Sequence, residues 1–516
     1  MTIKLYQHET LTDFSIPENR KQMENALREV RSQFGLSYPL VIGSERVDTK
    51  EKIVSVNPAN PQQVIGSVSK ADTTHVDMAL KTGWAAFDKW KRVPGPERAR
   101  YLYRAAAIMR RRKLFLSAVE IYEAGKTWSE AEGDVAEAID FLEYYGRQME
   151  RLSQPIPLTP LDGEEDRAFY IPLGVGAIIP PWNFPLAILA GMSSAAIVAG
   201  NCVVLKPAST TPVIGYHFAE IMREAGLPPG VLNFVPGDGG TIGDHIVDHP
   251  LTRFISFTGS REVGLRINRR AAETAPGQKW IKRVVAEMGG KDAIVVDETA
   301  DLDDAADDIV ASAFGFQGQK CSACSRAIIV DDIYDLLLTK IVERTKKLYM
   351  GPADNLSNDV GPVIDDKAYE KILGYIQWGK DNAKLQTGGT TLDMDGYFIP
   401  PTIFSDVEPG SKIEQEEIFG PVLAVIRAKD WSDALRIAND TDYGLTGSVY
   451  TAVRDRIVEA VEEFHVGNLY INRKCTGAIV GAHPFGGFNM SGTDSKTGSP
   501  DYLLLFMQMK AVGEKL

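Results

Sequence analysis

The chain has 516 residues, more than one hydrophobic core normally supports, so two or three domains are expected. Hydrophobic residues make up 44% of the chain, and its net charge of -13 argues against a basic surface for nucleic acid. Four cysteines are too few for a disulfide framework, which favours a reducing, cytoplasmic location: Cys202, Cys321, Cys324 and Cys475.

The N-terminal part is predicted to be largely helical. Helical periodicity covers residues 18–34, a strand, turn and strand are expected over 53–70, and amphipathic helices follow near 72–91, 96–125 and 127–151. The chain opens without a basic segment followed by an apolar one, so no signal peptide is predicted.

A proline-rich segment over residues 154–172 interrupts this helical part. Asp162 and Gly163 predict a turn there, and hence a protruding hairpin. The exposed edges of a hairpin need cover, which indicates a partner subunit. The apolar tail that begins at Asp501 could pair with the hairpin of a neighbour.

From Gly174 onward short apolar runs alternate with helical segments. This rhythm predicts a parallel, doubly wound sheet, and a second α/β unit begins near Asp292. Residues 174–200 are largely apolar, but prolines interrupt them, so they predict a strand, a loop and a buried helix, and no membrane span.

The strongest candidate for a chemical site is the stretch 314–326, FGFQGQKCSACSR. Its cysteine, Cys321, follows glycines that let the backbone turn sharply, and a nucleophilic thiol needs a positive or dipolar setting. The alternative is a small buried apolar residue. Cys321 and Cys324 form a C-x-x-C, which leaves a redox pair open. With no second such pair and no histidine set at ligand spacing, no metal site is predicted.

Two further stretches offer the groups that a nucleophile needs. Asn183 stands in a rigid PPWNFP loop, where its amide could stabilise an oxyanion, or it is a turn residue. Glu287 ends an apolar run before two glycines, where burial would raise its pKa and make it a general base, or it is a capping residue.

Several residues suggest a nucleotide site, although the fingerprint G-x-G-x-x-G is absent. Gly259 and Ser260 stand where a strand runs into a helix, and free N–H groups at such a helix start suit a pyrophosphate. Lys206 could bond a ribose or be a solvated charge. Glu417 could bind a ribose diol or only occupy a loop.

These stretches in this order resemble the aldehyde dehydrogenase superfamily over essentially the whole chain. The matching motifs are GQKC at 318–321, EMGGKD at 287–292, PWNFP at 181–185, KP at 206–207, FTGS at 257–260 and EEIFGPV at 416–422. The resemblance implies an α/β fold with a Rossmann-type NAD-binding domain, an α/β catalytic domain and a small β oligomerisation flap. The implied ranges are 1–153 and 172–286 for the NAD-binding domain, 287–475 for the catalytic domain, 154–171 and 490–516 for the flap, and 476–489 for a substrate anchor loop and return.

The resemblance also assigns roles to residues. It makes Cys321 the nucleophile, Asn183 an oxyanion donor and Glu287 the base that activates water, without a metal. The implied cofactor-binding residues are Ile179, Pro180, Pro181, Trp182, Lys206, Ser209, Gly239, Gly243, Phe257, Thr258, Gly259, Ser260, Val263, Met288, Gly289, Glu417 and Phe419. NAD+ is favoured, although Ser209 stands where many NAD-preferring relatives carry glutamate, which leaves NADP+ open.

Two stretches, CSACSR and residues 472–503, narrow the resemblance to enzymes that oxidise L-glutamate γ-semialdehyde, in equilibrium with 1-pyrroline-5-carboxylate, to L-glutamate in proline breakdown. The implied carboxylate ligands are Ser322, Gly477 and Ala478, which fit a backbone nest. Glu137 is the implied partner of the substrate ammonium, with Glu132 and Glu143 nearby. Phe184 and Phe485 are implied to clamp the aliphatic middle of the substrate.

Other functions remain as alternatives. The chain could oxidise another semialdehyde, such as succinate semialdehyde, or be a CoA-acylating reductase, although Glu287 provides a base for hydrolysis. A non-catalytic protein on the same scaffold and a cysteine hydrolase are the alternatives from other classes. The implied partners are a small-molecule substrate and further copies of the chain, as a dimer or a dimer-based hexamer, with no nucleic acid and no membrane.

Overall fold

The computed structural model describes residues 6–516. Its N-terminal part is helical, as predicted, but the helix predicted near 96–125 is two helices that meet at Arg112, whose φ of -108° and ψ of 14° leave the helical region. The elements are α1 Pro17–Ser32, β1 Leu36–Tyr38, β2 Leu40–Ile42, β3 Glu45–Val47, β4 Lys52–Asn57, β5 Asn60–Ser69, α2 Thr73–Trp90, α3 Gly95–Arg111, α4 Lys113–Ala124 and α5 Trp128–Leu152.

The next part of the chain forms the first large sheet. Its elements are β6 Glu164–Pro172, β7 Val175–Ile179, α6 Ala187–Val198, β8 Cys202–Leu205, α7 Pro212–Glu224, β9 Leu232–Phe234, α8 Asp244–Asp248, β10 Phe254–Thr258, α9 Arg261–Ala272 and β11 Arg283–Glu287. The strand order is β11-β10-β7-β8-β9-β2-β3, parallel from β11 to β9, with the antiparallel β2–β3 hairpin at the edge. Strands β7 and β8 are wholly buried, as expected of a parallel sheet covered on both faces.

A second large sheet follows. Its part of the chain contains β12 Asp292–Val296, α10 Leu302–Phe314, β13 Cys324–Val330, α11 Tyr334–Thr345, α12 Asp366–Asn382, β14 Lys384–Thr387, β15 Thr402–Ser405, α13 Lys412–Gln415, β16 Val422–Ala428, α14 Trp431–Asn439, β17 Tyr443–Gly444, β18 Thr446–Tyr450, α15 Arg454–Glu463 and β19 Asn468–Ile471. The strand order is β14-β15-β16-β13-β12-β18-β19. The two large sheets thus fall in consecutive parts of the chain.

The chain ends with β20 Phe488–Asn489, a short 3-10 turn at Tyr502–Phe506 and β21 Met507–Lys515. β21 pairs antiparallel with β6 of the same chain, residue for residue from Met507 opposite Pro172 to Lys515 opposite Glu164. The predicted hairpin centred on Asp162 and Gly163 is therefore wrong, because the second strand of the ribbon comes from the tail. Within residues 6–516 no helix is both long and apolar enough to cross a bilayer.

Candidate active site

The loop that carries Cys321 leaves α10 through a left-handed turn. Phe316, Gln317 and Gly318 have φ values of 48°, 56° and 66°. This backbone is costly for residues other than glycine and persists only where its surroundings hold it. The side-chain amide of Gln317 does so by donating to the carbonyls of Gly125 at 3.1 Å and Pro362 at 2.6 Å. The nucleophile loop is therefore fixed before the chemistry begins.

Two glycines let other chain segments pack directly against this loop. A Cβ at Gly290 would lie 2.3 Å from the carbonyl oxygen of Cys321, and one at Gly318 would lie 2.3 Å from that of Gly420. Both distances are far inside van der Waals contact. Packing therefore requires glycine at position 290, three residues after Glu287, and at position 318, three residues before Cys321.

The amide of Asn183 lies against the nucleophile loop. Its Nδ2 donates to the carbonyl of Gln319, two residues before Cys321, at 3.0 Å. An amide nitrogen carries two hydrogens, so one remains for a developing oxyanion. Asn183 and Cys321 both line the same cleft, as their predicted roles require.

The thiol of Cys321 does not have the positive setting expected from the sequence. Burial raises its pKa well above the usual range, and the carboxylates of Asp292, Glu417 and Glu287 raise it further. Those carboxylates come from two stretches that are distant from Cys321 in sequence, so no local pattern around Cys321 revealed their proximity to its thiol. The thiol is protonated at neutral pH and needs a proton acceptor before it can attack.

Glu287 is the last residue of β11 and its carboxyl is buried. Burial raises its pKa to about 8, although the hydroxyl of Ser495 and the charge of Lys496 lower it. The Ser495 hydroxyl donates to Oε1 at 2.5 Å, and Oε2 has no hydrogen-bond partner among residues 6–516. A carboxyl that titrates near pH 8 can act as a general base in mildly alkaline solution.

A cleft of about 620 Å³ opens beside Cys321, lined from both large sheets. Sixteen of the seventeen predicted cofactor residues line it, and Ser209 alone does not. Residues that the sequence reasoning missed also line it: Ala208, Gly240, Asp244, Arg266, Ile267, Ala368, Lys371 and Ile418. Several adjoin predicted residues in sequence, whereas Ala368 and Lys371 on α12 had no local signal.

The cleft has the groups that a dinucleotide requires. The N-terminus of α9 lies on its wall, capped by Ser260, which accepts from the Val263 amide at 3.4 Å. Gly239 and Gly243 leave open space, since a Cβ added at either position would have no atom within 4 Å. Lys206 is buried, which lowers its pKa to about 8. The chemistry of these residues fits NAD+.

Glu417 occupies a buried position on the cleft wall. Its carboxylate accepts from the Gly290 amide at 3.1 Å, and burial raises its pKa. The rings of Trp182 and Phe419 meet edge to face beside it, with centroids 5.5 Å apart. Glu417, the candidate for ribose binding, is therefore hydrogen-bonded to the backbone three residues after Glu287.

None of the six predicted substrate residues lines the cofactor cleft. Gly477, at φ 77°, and Ala478 have backbone N–H groups without a partner in the described chain. The turn is held by Arg473, whose guanidinium donates to the carbonyls of Thr476 at 3.0 Å and Gly477 at 3.1 Å. Unpaired N–H groups at a fixed turn suit a carboxylate.

The structure separates Glu137 from its two neighbours on α5. Glu132 accepts from Thr12 and pairs with Lys113 at 2.6 Å, whereas Glu143 pairs with Arg110. Glu137 has no hydrogen-bond partner among the described residues, and burial raises its pKa to about 8. It is the acid of the three that is left to receive a cation.

The aromatic candidates lie near this helix and the C-terminal loop, which comprises residues 472–501 between β19 and the 3-10 turn. The ring of Phe184 stacks on the Nζ of Lys126, 4.2 Å from its centroid, and Lys126 also donates to Asp134 on α5 at 3.0 Å. Phe485 exchanges two backbone hydrogen bonds with Thr497, at 2.9 and 2.8 Å. The Phe184 ring therefore contacts a buried lysine, and the backbone of Phe485 is fixed by Thr497.

All four cysteines are free thiols. Cys324 is buried at the start of β13, and its thiol interacts with that of Cys475. The Cys475 thiol also donates to the carbonyl of Ser322 at 3.5 Å. Of the two cysteines in the C-x-x-C, Cys321 thus lines the cleft, whereas Cys324 packs in the interior.

The sequence statement that no histidines stand at ligand spacing is wrong. His245 and His249 are four residues apart, and their Nε2 atoms lie 2.7 and 3.3 Å from one oxygen of Asp77. The amide of Leu251 donates to Nδ1 of His249 at 3.1 Å, which assigns the His249 proton to Nε2. In that tautomer His249 donates to Asp77, and the group connects α2 to α8.

The chain belongs to the aldehyde dehydrogenase family, whose model matches residues 46–512. The family resemblance, the α/β fold class and the prediction of an oxidoreductase of this family are confirmed. Among curated proteins it is 60% identical over 512 residues to 1-pyrroline-5-carboxylate dehydrogenase of Geobacillus sp. (strain WCH70), covering 99% of each chain.

Solved structures show the same fold. The 1-pyrroline-5-carboxylate dehydrogenase from Thermus with bound NAD is 52% identical, covers 100% of both chains and has a TM-score of 0.99. Proline utilization A from Bdellovibrio bacteriovorus is 46% identical with a TM-score of 0.98, and the match covers 99% of this chain and 53% of that one.

Proposed function

We propose that this protein oxidises L-glutamate γ-semialdehyde, the open form of 1-pyrroline-5-carboxylate, to L-glutamate with NAD+. The observation that carries the proposal is that Cys321 and Asn183 line one cleft with sixteen residues suited to a dinucleotide. The relatives named 1-pyrroline-5-carboxylate dehydrogenase support the choice of substrate.

In the first step the Cys321 thiol gives its proton to water, and the thiolate attacks the aldehyde carbon, which forms the oxyanion of a thiohemiacetal. The free hydrogen of Asn183 and the backbone N–H of Cys321 stabilise the oxyanion. The α9 N-terminus, Lys206 and Glu417 would hold NAD+, which would supply the hydride acceptor. Loss of hydride leaves a thioester on Cys321.

The second step is hydrolysis of that thioester. Glu287, once ionised, takes a proton from water, and the hydroxide attacks the thioester carbonyl. The carboxylate product leaves and the Cys321 sulfur is released. Since the Glu287 carboxyl titrates near pH 8, this step should be faster in mildly alkaline solution.

The substrate's amino-acid end is recognised away from the cofactor cleft. The amides of Gly477 and Ala478, with the Ser322 hydroxyl, bind its α-carboxylate. Glu137 binds its α-ammonium, and Phe184 and Phe485 cover the methylene groups. Because Ser322 directly follows Cys321 in the chain, the bound amino-acid end of the substrate lies near the residue that attacks its aldehyde carbon.

NADH formation with pyrroline-5-carboxylate, run beside succinate semialdehyde, tests the proposal. A clear preference for pyrroline-5-carboxylate supports the anchor assignment. Preference for succinate semialdehyde would retain the family chemistry and reject the roles of Ser322, Gly477 and Ala478. No activity with either aldehyde would reject the proposed function.

NAD+ is the proposed cofactor in preference to NADP+. A glutamate three residues after Lys206 would repel a 2′-phosphate. This chain has the uncharged Ser209 there, outside the cleft lining. Substituting Ser209→Glu should lower kcat/KM with NADP+ and leave that with NAD+ unchanged. An equal loss with both cofactors would remove Ser209 from cofactor selection.

We also infer a homo-oligomer in the cytoplasm. The β6–β21 ribbon is largely exposed, and Phe169 and Met509 stand half-exposed on it. An uncovered ribbon of this kind is suited to pairing with a second copy. Four free thiols are consistent with a reducing compartment.

A further inference from the structure

The Glu287 carboxyl packs against the C-terminal loop and is not part of the cleft lining. Met288 and Gly289, which follow it directly, line the cofactor cleft with Cys321, whereas Glu287 does not. Its Oε1 accepts from the Ser495 hydroxyl at 2.5 Å. The group assigned to water activation is therefore held by a residue of a loop that has no assigned part in catalysis.

Two glycines of that loop, Gly486 and Gly492, line the space that the Glu287 carboxyl occupies, its seat. A Cβ at Gly486 would lie 2.9 Å from Oε1, and one at Gly492 would lie 3.3 Å from Oε2. Any larger residue at either position would crowd the carboxyl. The loop thus has space for the Glu287 side chain and for little else.

Lys496 fixes this seat and adds a positive charge. Its Nζ donates to the carbonyls of Gly467, at 2.7 Å, and Gly486. It is half-buried, and its charge stabilises a neighbouring carboxylate. Lys496 therefore both holds Gly486, one wall of the seat, and supplies a compensating charge.

We propose that Ser495 and Lys496 are positioning residues for the water-activating step, which hold the Glu287 carboxyl on the C-terminal loop and favour its ionised form. The inference rests on the proposed function, in which Glu287 activates water. Oε2 has no partner in the described chain, so the seated carboxyl keeps one oxygen able to take up a proton.

The charges around Glu287 determine the direction of the expected effect. Burial raises its pKa to about 8, whereas Ser495 and Lys496 lower it and Asp494 raises it. The other titratable groups that face it are the Cys321 thiol and the Tyr502 phenol, both protonated at neutral pH. Removing Ser495 or Lys496 therefore raises the pKa of Glu287.

The first experiment measures kcat against pH for Ser495→Ala. The acid limb should move to higher pH by about one unit, the effect of losing one hydrogen bond to a charged group. The pre-steady-state burst of NADH, which precedes hydrolysis, should keep its amplitude. Ser495→Thr retains the hydroxyl and should restore the parent profile, and Lys496→Gln should shift the limb in the same direction as Ser495→Ala.

Thr493 provides the matched control. Its hydroxyl belongs to the same loop and accepts from the Ala286 amide on β11 at 3.0 Å, without contact to the Glu287 carboxyl. Thr493→Val should lower the thermal midpoint and leave the acid limb where it is. An equal limb shift in Thr493→Val would mean that loop disturbance, and not the Ser495 hydroxyl, is responsible.

A titration without substrate separates this inference from the proposed function. The infrared carbonyl band that is present in the parent and absent in Glu287→Gln reports the protonated Glu287 carboxyl. Its midpoint should rise in Ser495→Ala, whatever aldehyde the enzyme oxidises. Superimposable titrations and kcat profiles for the parent and Ser495→Ala would overturn the inference, whereas a parent inactive on pyrroline-5-carboxylate with a shifted band would overturn only the proposed function.

Discussion

At the scale of single residues, the Cys321 thiol is surrounded by acids. Asp292, Glu417 and Glu287 all raise its pKa, so attack requires that its proton be removed as the sulfur approaches the aldehyde. Glu287, with a pKa of about 8, has one carboxyl oxygen without a hydrogen-bond partner among residues 6–516, and so does Asp292. Asp292, with a pKa also about 8, is held by the Thr446 amide at 2.6 Å.

Cys321→Ala should reduce NADH formation to background, because no other group can form the thioester. NAD+ affinity, measured by calorimetry, should stay within about threefold, since Cys321 is a single small residue in the lining of a large cleft. Cys324→Ala makes the same change three residues away at a buried position and should retain turnover. Substantial turnover by Cys321→Ala would contradict the covalent mechanism.

Glu287→Gln should separate the two chemical steps. The burst of NADH should persist, while steady-state turnover falls by about 100-fold or more, since a general base is lost. In the parent, turnover should rise as the pH passes through about 8, because the raised pKa keeps the base protonated below that pH. A pH profile in Glu287→Gln identical to that of the parent would assign the limb to another group.

Glu137→Gln should weaken binding of the amino-acid end of the substrate. The KM for pyrroline-5-carboxylate should rise about tenfold, as expected for one lost charge-assisted hydrogen bond, with little change for propionaldehyde. Glu143→Gln changes an acid on the same helix that is already paired with Arg110 and should have little effect. Equal losses for both aldehydes would exclude Glu137 from substrate recognition.

At the scale of elements, local patterns predicted most of the secondary structure. Alternating apolar runs predicted the strands from Val175 to Glu287, because a strand buried on both faces needs an almost unbroken apolar sequence. The tail was predicted to pair with the hairpin of a neighbouring chain, and its pairing with β6 of the same chain was not predicted, since Pro172 and Met507 are brought together only by the complete fold. Glu287 and Glu417 were predicted as site residues, but their effect on the Cys321 thiol was not predicted, for the same reason.

The left-handed turn before Cys321 requires glycine at position 318. Gly318→Ala would place a Cβ 2.3 Å from the Gly420 carbonyl at φ 66°, so it should cost about 1 to 3 kcal/mol of stability and displace the thiol. The thermal midpoint of unfolding and the burst rate should both fall. Gly374→Ala is the control, because that α12 position has no atom within 4 Å, and the change should stabilise by about 0.5 to 1 kcal/mol.

At the scale of the whole molecule, the candidate site exists only where distant parts of the chain meet. The cleft takes Lys206 and Ser260 from the first sheet region, Cys321 and Glu417 from the second. The C-terminal loop then supplies Ser495 to Glu287. The family motifs identified the first four, whereas Ser495 required the fold, because no sequence pattern connects residue 495 to residue 287.

The tail strand β21 can be removed without removing the contacts that hold the end of the first sheet. Arg283 donates to the carbonyls of Leu504, Leu505 and Met507, so a chain that ends at Met507 keeps all three bonds. Such a chain loses the partner of β6, and the ribbon can no longer form.

Light scattering should therefore show a multiple of 56.6 kDa for the full chain and about one chain for the truncated form. Lys510→Gln, which changes an exposed polar side chain of β21 but keeps its backbone pairing, is the control and should retain the mass of the full chain. A truncated form with undiminished mass would place the subunit contact elsewhere. A full chain of about 56.6 kDa would contradict the oligomer itself, because the ribbon would then remain uncovered in solution.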